Sequence, residues 1–231
     1  MLRCRLMDGS ERLRLALSWS GGKDSALALW TLRDQRLNPE ALITTVTGGY
    51  DRVSMHGTRR ELLLRQAAAA RVPLVEVEIP VVCTNEEYED RMEQALRSES
   101  LRDVEAVAFG DLFLEDIRRY RETRLAAGGR RAVFPLWHRD TSHLAREFIS
   151  AGFEAILTCV DPTKLDRSFV GRAFDQQLLD DLPANVDPCG ENGEFHTFVY
   201  AGPIFAGTLA LELGSVIERD GFAFADLSGA G

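Results

Sequence analysis

Near the start of the chain, Ser20-Gly21-Gly22-Lys23-Asp24-Ser25 puts two glycines, a cation, two hydroxyls and a carboxylate into one short turn. Glycines let backbone N–H groups approach an anion, and a helix starting here would add the positive end of its dipole. Lys23 would neutralise a phosphate, and Ser20 and Ser25 would donate hydroxyl hydrogens to it. Asp24 cannot bind phosphate directly, so it is expected to orient Lys23 or to hold Mg²⁺. A serine-capped helix after a tight glycine turn is the plainer reading, but it does not call for six specific positions between a strand and a helix. The spacing differs from the phosphate loop with four residues between its glycines and from the dinucleotide-binding glycine pattern, which disfavours a γ-phosphate hydrolase.

A second cluster, Asp187-Pro188-Cys189-Gly190-Glu191-Asn192-Gly193-Glu194-Phe195-His196-Thr197-Phe198-Val199, gathers carboxylates, glycines, an imidazole and a thiol ahead of an apolar run. Such a set suits a substrate pocket. By spacing alone it reads equally well as a glycine-rich hairpin with its polar side chains in water. His56, after the second apolar run, would donate to a phosphate or simply serve as a cap or surface residue. Asp161 before Pro162 would end a strand or contribute to a cleft. His138 and His143 flank a helix start and read as surface or capping groups. Trp19 and Trp30 read as core, and Trp137 is the better pocket candidate.

The elements that must position these residues alternate in an α/β pattern. Strands are expected at 13–19, 41–46, 74–79, 106–109 and 132–134, with helices at 25–36, 58–71, 84–98 and 114–127. Thr84, with Glu87 three residues on, makes a capping box for the third helix, and Gly128-Gly129 stops the fourth. Pro135 ends the fifth strand. This predicts a five-stranded parallel sheet with helices on both faces, its ligand beyond the carboxyl ends of the strands. After Trp137 the pattern changes to a helix at 141–151, a strand at 155–160, a helical stretch through Leu178 and Leu179, and β runs at 197–200, 208–217 and 222–226. The expected division is a nucleotide-binding unit over residues 1–137 and a smaller α+β substrate-binding unit over 138–231.

The Ser20–Ser25 loop resembles that of the ATP pyrophosphatases, in the adenine nucleotide alpha hydrolase-like superfamily of HUP (Rossmann-like) sheets. Pro135-Leu136-Trp137-His138-Arg139-Asp140, Leu165-Asp166-Arg167-Ser168-Phe169-Val170-Gly171-Arg172 and the 187–199 cluster together look like the second domain of the diphthine ammonia ligase family. The resemblance covers nearly the whole chain. It implies that ATP is cleaved between its α- and β-phosphates to activate a carboxylate, which ammonia then converts to an amide. It also implies that Ser20, Gly21, Gly22, Lys23, Asp24, Ser25, Thr45, Val46, His56, Gly110 and Asp111 hold ATP, with Asp24 and Asp111 on Mg²⁺. Lys23, Asp24, Glu191, Glu194 and His196 carry the chemistry on this reading: Glu191 and Glu194 face the substrate, and His196 acts as base on ammonia or pairs with a glutamate. Asp166 and Arg172 are expected in an interdomain ion pair or against substrate. The ligases resembled usually read Glu-Gly-Gly-Glu-Phe-Glu-Thr where this chain has Glu191-Asn192-Gly193-Glu194-Phe195-His196-Thr197, so the acceptor is left open between a small-molecule and a protein-borne carboxylate.

Composition bounds the alternatives. With 45% hydrophobic and 27% charged residues in 231, the chain is an ordinary globular sequence with enough length for a substantial core. No apolar run approaches the roughly 20 residues of a membrane span, and no signal-peptide core opens the chain, so a cytoplasmic protein without membrane contact is expected. A net charge of -9 disfavours nucleic acid, and the arginines from Arg118 to Arg131 are diluted by acids and read as a solvated helix face. Cys4, Cys83, Cys159 and Cys189 are widely spaced and read as reduced thiols. A thiolating ATP pyrophosphatase acting on tRNA would need a persulfide-bearing cysteine, for which Cys159 and Cys189 would have to meet. An ATP sensor would lack the second, carboxylate-rich pocket. The Ala-, Arg- and Leu-rich style suits a bacterial member. Homodimerisation is left open.

Overall fold

The computed structural model describes residues 13–48, 52–53 and 58–230. His56, expected to hold ATP, lies outside the described residues. The chain runs β1 (Leu15–Ser18), α1 (Lys23–Asp34), β2 (Ala41–Thr47), β3 (Arg52–Val53), α2 (Arg60–Ala70), β4 (Leu74–Ile79), α3 (Asn85–Leu96), β5 (Ala106–Ala108), α4 (Glu115–Ala127) and β6 (Arg131–Val133). It continues with α5 (Thr141–Ser150), β7 (Glu154–Val160), a 3-10 turn (Arg167–Phe169), α6 (Gln176–Asp181), β8 (Phe195–Ala201), β9 (Leu211–Arg219) and β10 (Phe222–Gly229).

Five strands pair in parallel in the order β4–β2–β1–β5–β6. The two-residue β3, absent from the sequence expectation, adds antiparallel to Val46 and Thr47. From β1 the chain steps outward to β2 and β4, then returns to the opposite side of β1 for β5 and β6. The order therefore reverses between β1 and β5, which opens a crevice at their carboxyl ends. The β1–α1 loop and Gly110-Asp111 both fall at that crevice.

Strand side chains alternate between faces, and the core divides accordingly. Leu15 and Leu17 of β1 pack with Leu27 and Leu29 of α1 and Leu62 and Leu63 of α2, while Ala16 packs with Ile43, Leu96 of α3, Val107 and Leu125 of α4. Each such leucine contributes about 1.5–3 kcal/mol through its burial. The capping box of α3 is formed, with Glu87 N–H donating to Thr84 Oγ1 at 3.2 Å and Thr84 N–H to Glu87 Oε2 at 2.9 Å. Gly129, at φ +73°, ends α4 as expected.

The remaining strands make an antiparallel sheet in the order β8–β7–β10–β9. Its inner face shares the α1 side of the core: Phe148 of α5, Leu157 of β7, Phe198 of β8 and Ala225 of β10 belong to the same cluster as Leu27. Helix α1 thus lies between two sheets, pinned by Trp30 edge-on to Phe153 at 6.2 Å and by Arg33 Nη1 donating to Ile204 O at 2.8 Å. This packing brings β8 against the first turn of α1. Among the described residues, no helix is long and apolar enough to cross a membrane.

Candidate active site

The expected phosphate loop is shorter than its motif. Helix α1 begins at Lys23 rather than Ser25, so Lys23, Asp24 and Ser25 form its first turn, with Gly22 as N-cap and no side-chain cap from that residue. Gly21 sits at φ +79°, and a Cβ there would lie 2.5 Å from Leu63 Cδ2 and 2.6 Å from Gln66 Oε1, so only glycine fits. The Ser25 hydroxyl donates to Gly22 O at 2.9 Å, and the Ser20 hydroxyl lies 3.3 Å from both Ser25 Oγ and Gly22 N. These contacts close the turn around the glycines. Lys23 is 2% exposed, and its Nζ lies 2.7 Å from each carboxylate oxygen of Asp24. Burial opposes the ammonium charge, but Asp24 together with the other acidic groups around it, Glu191 among them, outweighs that and holds its pKa above the ordinary lysine value.

The opposite wall comes from the loop before β8. Glu194, 3% exposed, accepts hydrogen bonds from Asp187 N at 3.0 Å, Asn192 N at 2.9 Å and Asn192 Nδ2 at 3.1 Å. Burial alone would raise its pKa, and these bonds instead hold it below the ordinary glutamate value. Asp187 Oδ1 accepts from Cys189 N at 2.8 Å, and Lys164 Nζ donates to Asn192 O at 2.8 Å. The loop is therefore built around inward-turned carboxylates, which overturns the solvent-facing hairpin reading. It also corrects the expectation for Glu194: its carboxylate is turned into the loop, and Gly193 lines the cavity in its place. The asparagine at 192, where the ligases resembled read glycine, adds a side-chain bond to Glu194 beside the backbone one.

Glu191 does face the cavity. Burial, followed by the charge of Asp24, pushes its pKa up to about 7 despite the opposing pull of Lys23. A third wall follows β5. Gly110 packs so tightly that a Cβ would lie 2.8 Å from the carbonyl carbon of Asp24. Asp111 is held by Arg121 in a two-point ion pair, Nη2 to Oδ1 at 3.1 Å and Nε to Oδ2 at 2.9 Å, while the guanidinium lies 4.1 Å from the Phe109 ring centroid. Burial raises the Asp111 pKa against that partner.

These walls enclose one open cavity of about 260 Å³. Ser20, Gly22, Lys23, Asp24, Ser25, Gly110, Asp111, Glu191 and His196 all line it. Gly21 shapes the turn from behind. Thr45 and Val46, although on β2 at the same sheet edge, are not in its lining: Thr45 pairs with Val77 and Val46 with Glu78 across to β4. His196 lies at the cavity, yet burial and then Lys23 depress its pKa to about 4, which leaves a neutral imidazole and a weak base. Arg121 and Thr197 were missed in the sequence. Arg121 was absorbed into the solvated basic stretch, and its pairing depends on the segment between β5 and α4, which turns Asp111 toward the helix. Thr197 accepts from Lys23 N at 3.0 Å, a contact between residues 174 apart that no local pattern announces.

Several expectations outside the cavity are corrected. Trp137 packs on Phe134 with the Arg118 guanidinium 4.7 Å from its ring centroid, and does not line the cavity. Asp166 caps the 3-10 turn through Ser168 N at 2.8 Å, and Arg172 pairs with Asp181 at 2.6 Å within its own region. Cys159, and Cys189 in the cavity wall, are free and buried, in keeping with the reduced thiols expected, and burial pushes both up to about 12.

Among the described residues, no three His, Cys, Asp or Glu side chains are arranged to hold a metal. Asp24 and Asp111 face the cavity, but each already pairs with a cation. Mg²⁺ at phosphoryl-transfer sites takes only one or two carboxylates and completes its shell with phosphates and water. The residues fit an ion carried in on a nucleotide.

Two family models match the chain almost end to end: the diphthamide synthase N-terminal domain over residues 13–138 and the diphthamide synthase C-terminal domain over residues 140–221. The chain belongs to the diphthamide synthase family. Curated relatives of this diphthamide synthase family member include the diphthine–ammonia ligase of Homo sapiens, 26% identical over 239 aligned residues covering 94% of this chain and 89% of the human protein. The enzyme of that name from Rattus norvegicus is 25% identical with the same coverage. That of Schizosaccharomyces pombe is 29% identical over 121 residues, which cover 51% of this chain and 20% of the yeast protein.

Proposed function

We propose that this diphthamide synthase family member is an ATP-dependent ligase that forms AMP and pyrophosphate, adenylylating a carboxylate and amidating it with ammonia or an amine. The observation that carries the reading is one cavity lined on one side by Gly22, Lys23 and Ser25 and on the other by Glu191. A phosphate site and a proton-accepting carboxylate therefore share one reaction volume. The diphthine–ammonia ligases among its relatives support the amidation class, with a small-molecule or protein-borne carboxylate as acceptor. The N-terminal unit, 1–137, would bind ATP and the C-terminal unit, 138–231, the acceptor.

In the first step an acceptor carboxylate oxygen bonds to the α-phosphorus as the bond to the bridging oxygen breaks, releasing pyrophosphate. Lys23 and the first-turn N–H groups of α1 stabilise the charge that collects on the leaving group. Bound Mg²⁺, held by Asp24 and Asp111, would neutralise phosphate charge. In the second step ammonia bonds to the acyl carbon and AMP leaves. Glu191, with a pKa near 7, is matched to accept the proton the nitrogen loses. His196 stays neutral and shapes the pocket beside Lys23.

A thiolating reading is disfavoured by the buried, protonated thiols of Cys159 and Cys189. Two ATP analogues test the bond cleaved. With acceptor present, β,γ-methylene ATP is expected to yield AMP, whereas α,β-methylene ATP binds and is not turned over. The opposite pattern would show cleavage at the γ-phosphate and end this reading.

A further inference from the structure

Gln66 lies on α2 among leucines and alanines, at 0% exposure, where a primary amide is unfavourable unless fully hydrogen-bonded. Its amide is fully used. Oε1 accepts from Trp19 Nε1 at 3.0 Å, and Nε2 donates to Gly21 O at 2.9 Å and to Val199 O at 2.5 Å. Gly21 O accepts a second bond, from Val199 N at 3.0 Å. Both lone pairs of this carbonyl are thereby drawn toward α2 and β8. The peptide unit is planar and trans, so the Gly22 N–H of the same unit must point the opposite way. There, among the described residues, its hydrogen-bond partner is the Ser20 hydroxyl, at a long 3.3 Å. A reversed Gly21–Gly22 peptide would present a carbonyl oxygen to a bound phosphate and repel it.

We propose that Gln66 is a positioning residue for the phosphate loop: it locks the Gly21–Gly22 peptide in its anion-binding orientation by tying that carbonyl to β8. Thr197 anchors the next peptide to β8 as well, by accepting from Lys23 N at 3.0 Å. The second sheet therefore completes the phosphate site as well as supplying Glu191. No part of the phosphate-loop motif announces Gln66, which sits 45 residues from Gly21. The inference rests on the reading of this loop as the site of ATP phosphates.

The test is calorimetric titration of the full chain with ATP, pyrophosphate and AMP, alongside thermal unfolding. Gln66→Met keeps the volume and removes the donors. In the folded variant, ATP and pyrophosphate should bind on the order of tenfold more weakly, with AMP affinity within about twofold of wild type, because one hydrogen bond orienting a buried peptide is lost. Unchanged ATP affinity would overturn the proposal, and so would an equal loss for ATP and AMP, which marks a general scaffold role. Should Gln66→Met not fold, Gln66→Leu, which also lacks the amide donors, is judged on the same criteria. Wild-type protein that binds neither ATP nor pyrophosphate would instead overturn the ATP reading itself, an outcome visible without any variant.

Discussion

Lys23 Nζ lies 2.7 Å from both carboxylate oxygens of its sequence neighbour Asp24, in the first turn of a helix whose N-terminus opens onto the cavity. The pair holds a buried ammonium in place before any phosphate arrives. Lys23→Ala is expected to lower AMP formation by about a hundredfold or more, the usual scale for losing a group that stabilises transition-state charge. Asp24→Asn leaves a buried cation with a neutral partner. Discounted for the 29% exposure of Asp24, the loss should be about 1–3 kcal/mol, read as a lower midpoint in urea. AMP formation at wild-type rate in Lys23→Ala would remove the loop from the mechanism.

Glu194 is expected to act on the wall rather than on the substrate. In Glu194→Gln an amide NH₂ replaces one acceptor oxygen and confronts the N–H of Asp187 or Asn192, at a cost of about 1–3 kcal/mol. Denaturation and titration with ATP check this: stability falls, ATP affinity stays within a few-fold, and acceptor-dependent turnover drops. Turnover lost with no change in stability would instead put Glu194 in contact with substrate.

The pH dependence follows from Glu191. Its carboxyl takes up a proton on folding between its ordinary value of 4.5 and about 7, so stability falls as pH rises through that window. Glu191→Gln should flatten this dependence and be more stable than wild type at pH 8 by on the order of 1 kcal/mol after solvent screening. The turnover of wild type should rise with pH through a limb near 7 that is absent from Glu191→Gln. His196, with a pKa of about 4, contributes no limb at its ordinary value, so His196→Asn should keep the limb near 7. A limb that disappears with His196 would reverse these roles.

Gly110→Ala tests the seam between β5 and α1. Its new Cβ, 2.8 Å from Asp24 C and 2.9 Å from Asp24 O, must displace the first turn of α1. The expected result is a loss of about 1–3 kcal/mol in stability together with weaker ATP binding. Intact ATP binding would mean the turn is not part of the site.

Cys189 lines the cavity but donates its thiol hydrogen to Thr141 O at 3.3 Å, and burial keeps it protonated. Alkylation at pH 8 should be slow, and Cys189→Ser should retain most AMP formation. Rapid modification with loss of turnover would revive the thiolation chemistry.

Much of the fold was legible because its signals are local. Short apolar runs alternating with helix-like segments marked β1, β2, β4 and β5, and Thr84 with Glu87 marked the start of α3. The phosphate loop was legible for the same reason, as six adjacent residues whose types suit one task. What escaped was non-local. Gln66 looks like one polar residue beside an alanine run, and its meaning depends on Gly21 and Val199 reaching it from two other elements. Glu194 and Glu191 are two acids of one loop, and only the paths of the Asp187 and Asn192 backbones turn one inward and leave the other facing the cavity. Arg121 shared the charge of its neighbours, yet its position on α4 aims it at Asp111.

The central claim is that phosphate binding and proton-accepting chemistry share one cavity in an AMP-forming ligase. The most direct measurement follows α-labelled ATP incubated with the protein, Mg²⁺ and ammonium, with and without a small-molecule extract of the source cells. Label appearing in AMP, dependent on the extract, lost in Lys23→Ala and strongly reduced in Glu191→Gln, is the predicted result. Label in ADP, or AMP formed equally well by both variants, would contradict the account.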